Sequence, residues 1–550
     1  MDDQEILDNI DGRMHGPMDR FIKKYFDQFQ YVRQDALLEI HAAGRVIGRC
    51  AVPSAAPSPD NFLQWFSSYV SQNVDGARGS WQISNNSVAP EHESANNGIR
   101  LLLTIPTLPA SDTQTSWDDV QVIGQYYHHG CVDYQEGLLH LSRSAHQVFI
   151  SQPTRLFLHG FYIRGSLIEL WVFDRSGLYC SDVFDIRKDF VQFLSIILSY
   201  QRMTDQDLGN INIIETDKYG RYIILDGAVT PSLGKLYLDS QPIASSEGLF
   251  KWRWARERPE DELLRLAEEK CVWGAVSLDY HEEVENTANL RRSLRWGRHR
   301  KFTKMHSTER HGSIEEQRQE VSLNADGLVS YTEETNNFFQ NRIFTCIVTS
   351  PVGRPLHTFQ SQTELLQVFR DGIRCHRSLC YDAKILHQDV SPGNMIILDG
   401  QDEGKPRGIL IDLDSAIELT EGSETEANAI QYRHDLESFL YAFLWTIITN
   451  HTENPPETSK LRQWSNGDWN ELAVRKSLDM DQDSFRSILE EFAHEFHPLK
   501  PLAESLRQIL FPLRDGAIWK GTDGSPEAVD KLYDGMIRAF EEAIAYEGGK

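Results

Sequence analysis

The stretch Ile385-Leu-His-Gln-Asp-Val-Ser-Pro-Gly-Asn394, with Ile411-Asp-Leu-Asp414 after it, constrains this chain more than any other segment. His387-x-Asp389 is followed by Asn five positions on, and a second Asp closes a short apolar run. Between Asn394 and Asp412 lie two such runs, Met395-Ile-Ile-Leu398 and Gly408-Ile-Leu-Ile411. The polar, turn-forming link Asp399-Gly-Gln-Asp-Glu-Gly-Lys-Pro-Arg407 joins them, so the pattern predicts a β-hairpin. That hairpin would return Asp412 beside Asn394. Moving a phosphoryl group needs a carboxylate that orients a hydroxyl and takes its proton, plus oxygen ligands for a divalent metal. Asp389 suits the first role; Asn394 and Asp412 suit the second. An Asp-capped turn on a buried hairpin is the plain alternative, and the full combination argues against it.

Bulk properties narrow the setting. A chain of 550 residues has room for two to four domains. Asp+Glu 81 against Lys+Arg 55 leaves a net charge of −26, which disfavours nucleic acid and anionic lipid as partners. The seven cysteines are odd in number, with no CxxC and no cluster at metal spacing, which suits a reduced compartment. The acidic start lacks a signal core, and no run reaches the ~18–20 apolar residues of a membrane span. We expect a soluble protein of the cytoplasm or nucleus.

Along the chain, residues 1–50 carry helical spacing, Ala51 to Pro59 is linker-like and Ser84 to Asn97 reads as a loop. Val120–Ile123 and Leu167–Phe173 read as strands, and Leu138 to Ser151 as an amphipathic helix. Asp174-Arg-Ser-Gly177 reads as a surface turn, and His128-His129 as loop histidines. Leu249-Phe-Lys-Trp-Arg-Trp254 alternates like a strand, and Pro259-Glu-Asp-Glu262 opens a helix. Those acids either suit the helix dipole or supply a glutamate to hold Lys251 against phosphate; the local sequence leaves both readings open. The basic stretch 291–304 reads as a loop that could meet an acidic partner or face. Phe344–Thr349 is a strand, Pro351-Val-Gly353 a bend, and Glu364 to Leu379 a helix. Arg433-His-Asp-Leu-Glu437 opens an apolar helix to Ile448, with Trp464 and Trp469 as core anchors beyond it.

Several of these motifs, in this order, resemble the fungal-type protein kinase family. They are Trp117-Asp-Asp-Val-Gln-Val, Gln152-Pro-Thr-Arg155, His159-Gly160, Phe173-Asp-Arg-Ser-Gly177, Lys251-x-x-Trp254, Gly353-Arg354, the catalytic-loop segment and Arg433-His-Asp-Leu-Glu-Ser438. The resemblance implies an α+β, two-lobed protein-kinase-like fold with an N-terminal α/β extension. It implies ATP and Mg²⁺ as cofactors and a protein Ser/Thr hydroxyl as acceptor. By it Asp389 is the catalytic base, Asn394 and Asp412 hold metal, and Lys251 contacts ATP phosphates with Glu262 as its partner. Val348 and Ser350, before the bend, line the nucleotide site, and Asp435 buttresses the catalytic loop through backbone N–H groups. The expected parts are an accessory region (1–110), an α/β region (111–240), a small lobe (241–350, with a basic, partly disordered insertion at 286–340), a helical large lobe (351–515) and a terminal helix or tail (516–550).

The chain also departs from that pattern. Leu236 to Gly248 contains one Gly where a Gly-rich loop is expected. Gln388 stands where Arg is common, Ser391 where Lys is common, and Asp414 where D-F-G has Gly. Glu418 to Gln431 is acidic and lacks a peptide platform. These departures keep two alternatives in view: a pseudokinase or interaction scaffold, and a small-molecule phosphotransferase like aminoglycoside and choline kinases.

Overall fold

The computed structural model describes residues 6–27, 65–67, 77–85, 98–106, 116–127, 134–225, 234–238, 249–296, 339–400, 404–419, 426–464 and 469–549, except 8, 9, 11, 212, 453, 515–516, 519–522 and 524. Outside these lie the linker at 51–59, most of the loop expected at 84–97, His128-His129, residues 239–248 of the expected phosphate loop, 297–338 of the basic insertion, and 420–425 after the second Asp motif. The chain forms two compact units, Met1–Ile223 with Glu283–Thr345, and Ile224–Glu282 with Cys346–Lys550. The described part of the expected insertion thus belongs largely with the N-terminal unit.

The N-terminal unit is built on one mixed sheet. Its strands are β1 (Met14–His15), β2 (Ser80–Asn85), β3 (Ile99–Thr104), β4 (Val120–Tyr127), β5 (Phe157–Arg164), β6 (Leu167–Asp174), β7 (Gly177–Cys180) and β8 (Phe184–Asp185). The order is β1-β7-β6-β5-β4-β3-β2, with β8 pairing β6. Helix α1 (Phe21–Phe26) precedes β2, α2 (Tyr134–Ser151) joins the parallel pair β4 and β5, and α3 (Phe190–Tyr200) follows β8. Residues 1–50 are therefore not uniformly helical. Alternation along each strand sends neighbours to opposite faces. Leu101, Leu103, Val122, Phe161 and Leu170 pack with α1 and α3, while Leu102, Ile123, Leu158, Trp171 and Phe173 pack with Leu138, Leu141 and Val148 of α2. Both faces are covered, which is why all eight residues of β4 are buried.

The turn Asp174-Arg-Ser-Gly177 is a correction to the sequence reading. Asp174 is buried, and Arg291 grips it with two bonds, Nε to Oδ2 and Nη2 to Oδ1, each 2.6 Å. Arg291 also lies over the rings of Tyr179, Trp296 and Phe339, 5.2, 4.9 and 4.2 Å from their centroids. A local reading could not see a partner 117 residues away. Arg291, the first residue of the basic stretch, is thus interior, while Arg292 and Arg295 are exposed. Gln152 and Arg155 are similarly inward: the buried Arg155 donates to the carbonyls of Val120, Gln121, Phe157 and Leu208. His159 meets the carbonyl of Asp207 at 3.0 Å, and burial pushes its pKa down to about 4, so it is neutral at pH 7. These motif residues clamp the sheet.

The C-terminal unit has the α+β, two-lobed kinase-like form. In its small lobe, β9 (Phe250–Trp254), β10 (Ser277–Asn286) and β11 (Arg342–Ser350) make a sheet with β11 in the middle, beside α4 (Glu260–Glu269). The large lobe holds α5 (Gln362–Asp382), the hairpin β12 (Met395–Ile397) and β13 (Gly408–Leu410), α6 (Glu426–Thr449), α7 (Lys500–Leu510) and α8 (Pro526–Gly548). Ser361 caps α5 by accepting the Glu364 N–H at 3.1 Å. Leu365, Phe369, Ile373 and Leu379 of α5 meet Leu436, Phe439 and Phe443 of α6 and Phe540 of α8 in one core. Helix α6 starts seven residues (433 − 426) before the expected Arg433, because Glu426-Ala-Asn-Ala429 contains no helix breaker. Trp464 is buried as expected, and the Trp469 side chain lies outside the described residues.

Candidate active site

The hairpin forms in the register Met395↔Leu410 and Ile397↔Gly408. One step beyond, the Ile411 N–H donates to the Asn394 carbonyl at 3.0 Å, which sets Asp412 opposite the end of the catalytic loop. His387 is fully buried with Nε2 3.1 Å from the Ile411 carbonyl. Burial, with His376 nearby, holds its pKa below the ordinary histidine value, so it ties loop to hairpin as a neutral ring. Asp389 is exposed, and Asn394 Nδ2 donates to its Oδ2 at 3.0 Å and to its carbonyl at 2.9 Å. The carboxylate is thereby aimed by its own loop while staying open to a substrate.

Gln388, just before it, sits at φ 63. Left-handed backbone at a residue with a side chain is unfavourable and persists only where neighbours enforce it. Here the Gln388 N–H donates to Asp435 Oδ2 at 3.0 Å. The same oxygen receives His376 Nε2 at 2.8 Å.

The second half of the site gathers charge. Lys251 Nζ, on β9, lies 2.9 Å from Glu260 Oε2, 2.8 Å from Asp412 Oδ1 and 3.5 Å from Asp414 Oδ2. Glu260 Oε1 accepts the Leu413 N–H at 2.9 Å, so one buried glutamate holds both the lysine and the backbone after Asp412. Burial disfavours charge on Lys251, but Glu260, Asp412 and Asp414 together outweigh it and raise its pKa. Asp414 is pushed up to about 7, first by burial, then by Glu260.

Glu260, rather than Glu262, is therefore the lysine's partner. Glu262 is exposed and pairs with Arg258 at 3.2 Å. The signal was present in the sequence: Glu260 stands three, four and seven positions before Leu263, Leu264 and Ala267, the buried stripe of α4, whereas Glu262 points elsewhere. If the site is used as the kinase resemblance implies, changing Glu260 to Gln should lower kcat/KM for ATP roughly 10- to 100-fold, the worth of a charge-assisted bond. Glu262→Gln should stay within about twofold, since an exposed pair contributes little. Steady-state kinetics on both variants decides the assignment.

Of the other expected residues, Val348 is buried and Ser350 half-buried at the end of β11, the strand that pairs with β9. Asn394 and Asp412 share the hairpin end, but Asn394 spends its amide hydrogens on Asp389 while Asp412 faces Lys251. Oxygens of Glu260, Asp412 and Asp414 lie within 4.8 Å of one another, the one such acidic group among the described residues. With Glu260 bound to Lys251 and the Leu413 N–H, the carboxylates of Asp412 and Asp414 are hard oxygen donors that fit Mg²⁺ in charge and donor type. Sequence reasoning missed Glu260 and passed over Asp414.

Residues 105–250 and 248–447 match the sequence profile of the family described as fungal protein kinase, more than half of the chain. A search of curated proteins found no match to the sequence. With that match spanning both the strand lysine and the His387–Asp412 segment, the chain belongs to the fungal protein kinase family.

Proposed function

We propose that this protein is an active ATP- and Mg²⁺-dependent kinase that phosphorylates Ser or Thr hydroxyls of proteins. The Lys251–Glu260 ion pair, closed beside Asp412, carries the reading, because a lysine held by a glutamate next to a candidate metal carboxylate is the arrangement phosphoryl transfer uses. Asp389 Oδ, exposed and oriented by Asn394, orients the acceptor hydroxyl and takes its proton. Lys251 supplies positive charge for phosphate oxygens, and Glu260 keeps the lysine extended toward them. Asp412 through a carboxylate oxygen and Asn394 through Oδ1 would hold the metal, with Asp414 in reach. Bound Mg²⁺ supplies the charge that neutralises the phosphates. The family match supports a protein acceptor over a small alcohol.

Purified protein should transfer labelled phosphate from Mg-ATP to protein Ser or Thr and not to choline or an aminoglycoside. Mg-ATP at 100 times its Kd should stabilise the wild type by about 2.7 kcal/mol in thermal unfolding. Asp412→Asn should remove both effects. Transfer that persists in that variant would overturn the proposal.

A further inference from the structure

We propose that Tyr533, on the C-terminal helix, is a positioning residue for the catalytic loop. The inference rests on the kinase reading of that loop. Helix α8 lies beyond residue 447, where the family match ends. It packs along α5: Phe540 stacks on Phe369 with centroids 5.9 Å apart, and Arg377 reaches Asp530 at 2.6 Å and Asp534 at 2.8 Å. Within that contact Tyr533 is fully buried, and its hydroxyl lies 2.8 Å from His376 Nδ1. His376 Nε2 reaches Asp435 Oδ2, and that oxygen accepts the Gln388 N–H. Three consecutive hydrogen bonds thus run from α8 through α5 and α6 to the residue before Asp389.

The directions of these bonds are mutually consistent. Burial opposes a charge on His376, but Cys380 and Asp435 outweigh it and hold its pKa up at about 10. Both ring nitrogens then donate, Nε2–H to Asp435 and Nδ1–H to Tyr533. The tyrosine hydroxyl accepts from the ring and donates onward to Cys380 Sγ at 3.6 Å. Without that hydroxyl, the buried Nδ1–H keeps only the long contact to Cys380 Sγ at 3.8 Å, and the ring loses the short bond that fixes its angle on Asp435. Asp435 would then hold the left-handed Gln388 less firmly, and the direction of Asp389 depends on that residue. Phe540, in contrast, docks the same helix by ring packing alone, through Phe369 and Phe443.

The test compares Tyr533→Phe with Phe540→Leu in the full chain. Hydrogen exchange is followed in a peptide covering residues 385–394, and kcat is measured apart from KM for ATP. Tyr533→Phe should speed exchange of the Gln388 amide about tenfold and lower kcat about tenfold, with KM for ATP unchanged. Phe540→Leu should lower the thermal midpoint further than Tyr533→Phe does, yet leave loop exchange and kcat near wild type. Unchanged loop exchange in Tyr533→Phe overturns the inference, as does a Phe540→Leu variant that shows the same acceleration. Exchange is read without turnover, so a wild type that transfers no phosphate refutes the proposed function while exchange still decides the role of Tyr533.

Discussion

On the proposed kinase function, changing Asp389 to Asn should lower kcat for phosphoryl transfer by about 10²- to 10⁴-fold and leave Mg-ATP binding close to wild type. The range is that of a lost general base. The replacement is nearly isosteric and leaves the Gln388 N–H on Asp435, so the loop keeps its shape. The change removes an acceptor for the hydroxyl proton, at the exposed carboxylate that Asn394 aims. The ion pairs of Lys251 with Glu260, Asp412 and Asp414 do not involve Asp389, so that end of the site keeps them. Single-turnover kinetics and a nucleotide titration on the same preparation check both halves. A kcat within tenfold of wild type would refute the base assignment.

Changing Asp174 to Ala destabilises the N-terminal unit by about 3–5 kcal/mol, the usual effect of removing one partner from a buried ion pair. Arg291, 1% exposed, would keep its charge among three aromatic rings with no carboxylate to meet it. The double variant Asp174→Leu with Arg291→Met should fall within about 1 kcal/mol of wild type or above it, because no uncompensated charge remains. Urea unfolding, with the transitions of the two units resolved, measures both. A single variant that loses less than about 1 kcal/mol would show that water reaches the guanidinium.

Local patterns carried the elements that hold the candidate site. The His387–Asn394 spacing, the apolar runs around Asp399–Arg407 and the alternation of Leu249–Trp254 are short-range signals, and the hairpin and strand they predict are present. What the sequence concealed is what depends on distant partners. Glu260 and Glu262 differ only in which side of α4 they occupy, and the choice turns on packing against Leu413, 153 residues away. The inward turn of Asp174 and the reach of Tyr533 to His376 are set in the same long-range way, across 117 and 157 residues. Periodicity in a short window cannot register such pairs. The resemblance added the order of motifs, while the structure showed that Gln152-Pro-Thr-Arg155 and Phe173-Asp-Arg-Ser-Gly177 are chiefly clamps of the N-terminal sheet.

The span between Asp174 and Arg291 also has a consequence for synthesis. A ribosome adds roughly 5–20 residues each second, so the 117 positions that separate them take roughly 6 to 23 seconds. Through that interval the acid at the end of β6 has been made without its cation. The first unit reaches its finished interior only after Ile224–Glu282 of the second has also been made. A nascent chain stalled before residue 291 therefore presents a sheet with an unneutralised carboxylate at the end of a central strand, the form a chaperone or protease would meet first.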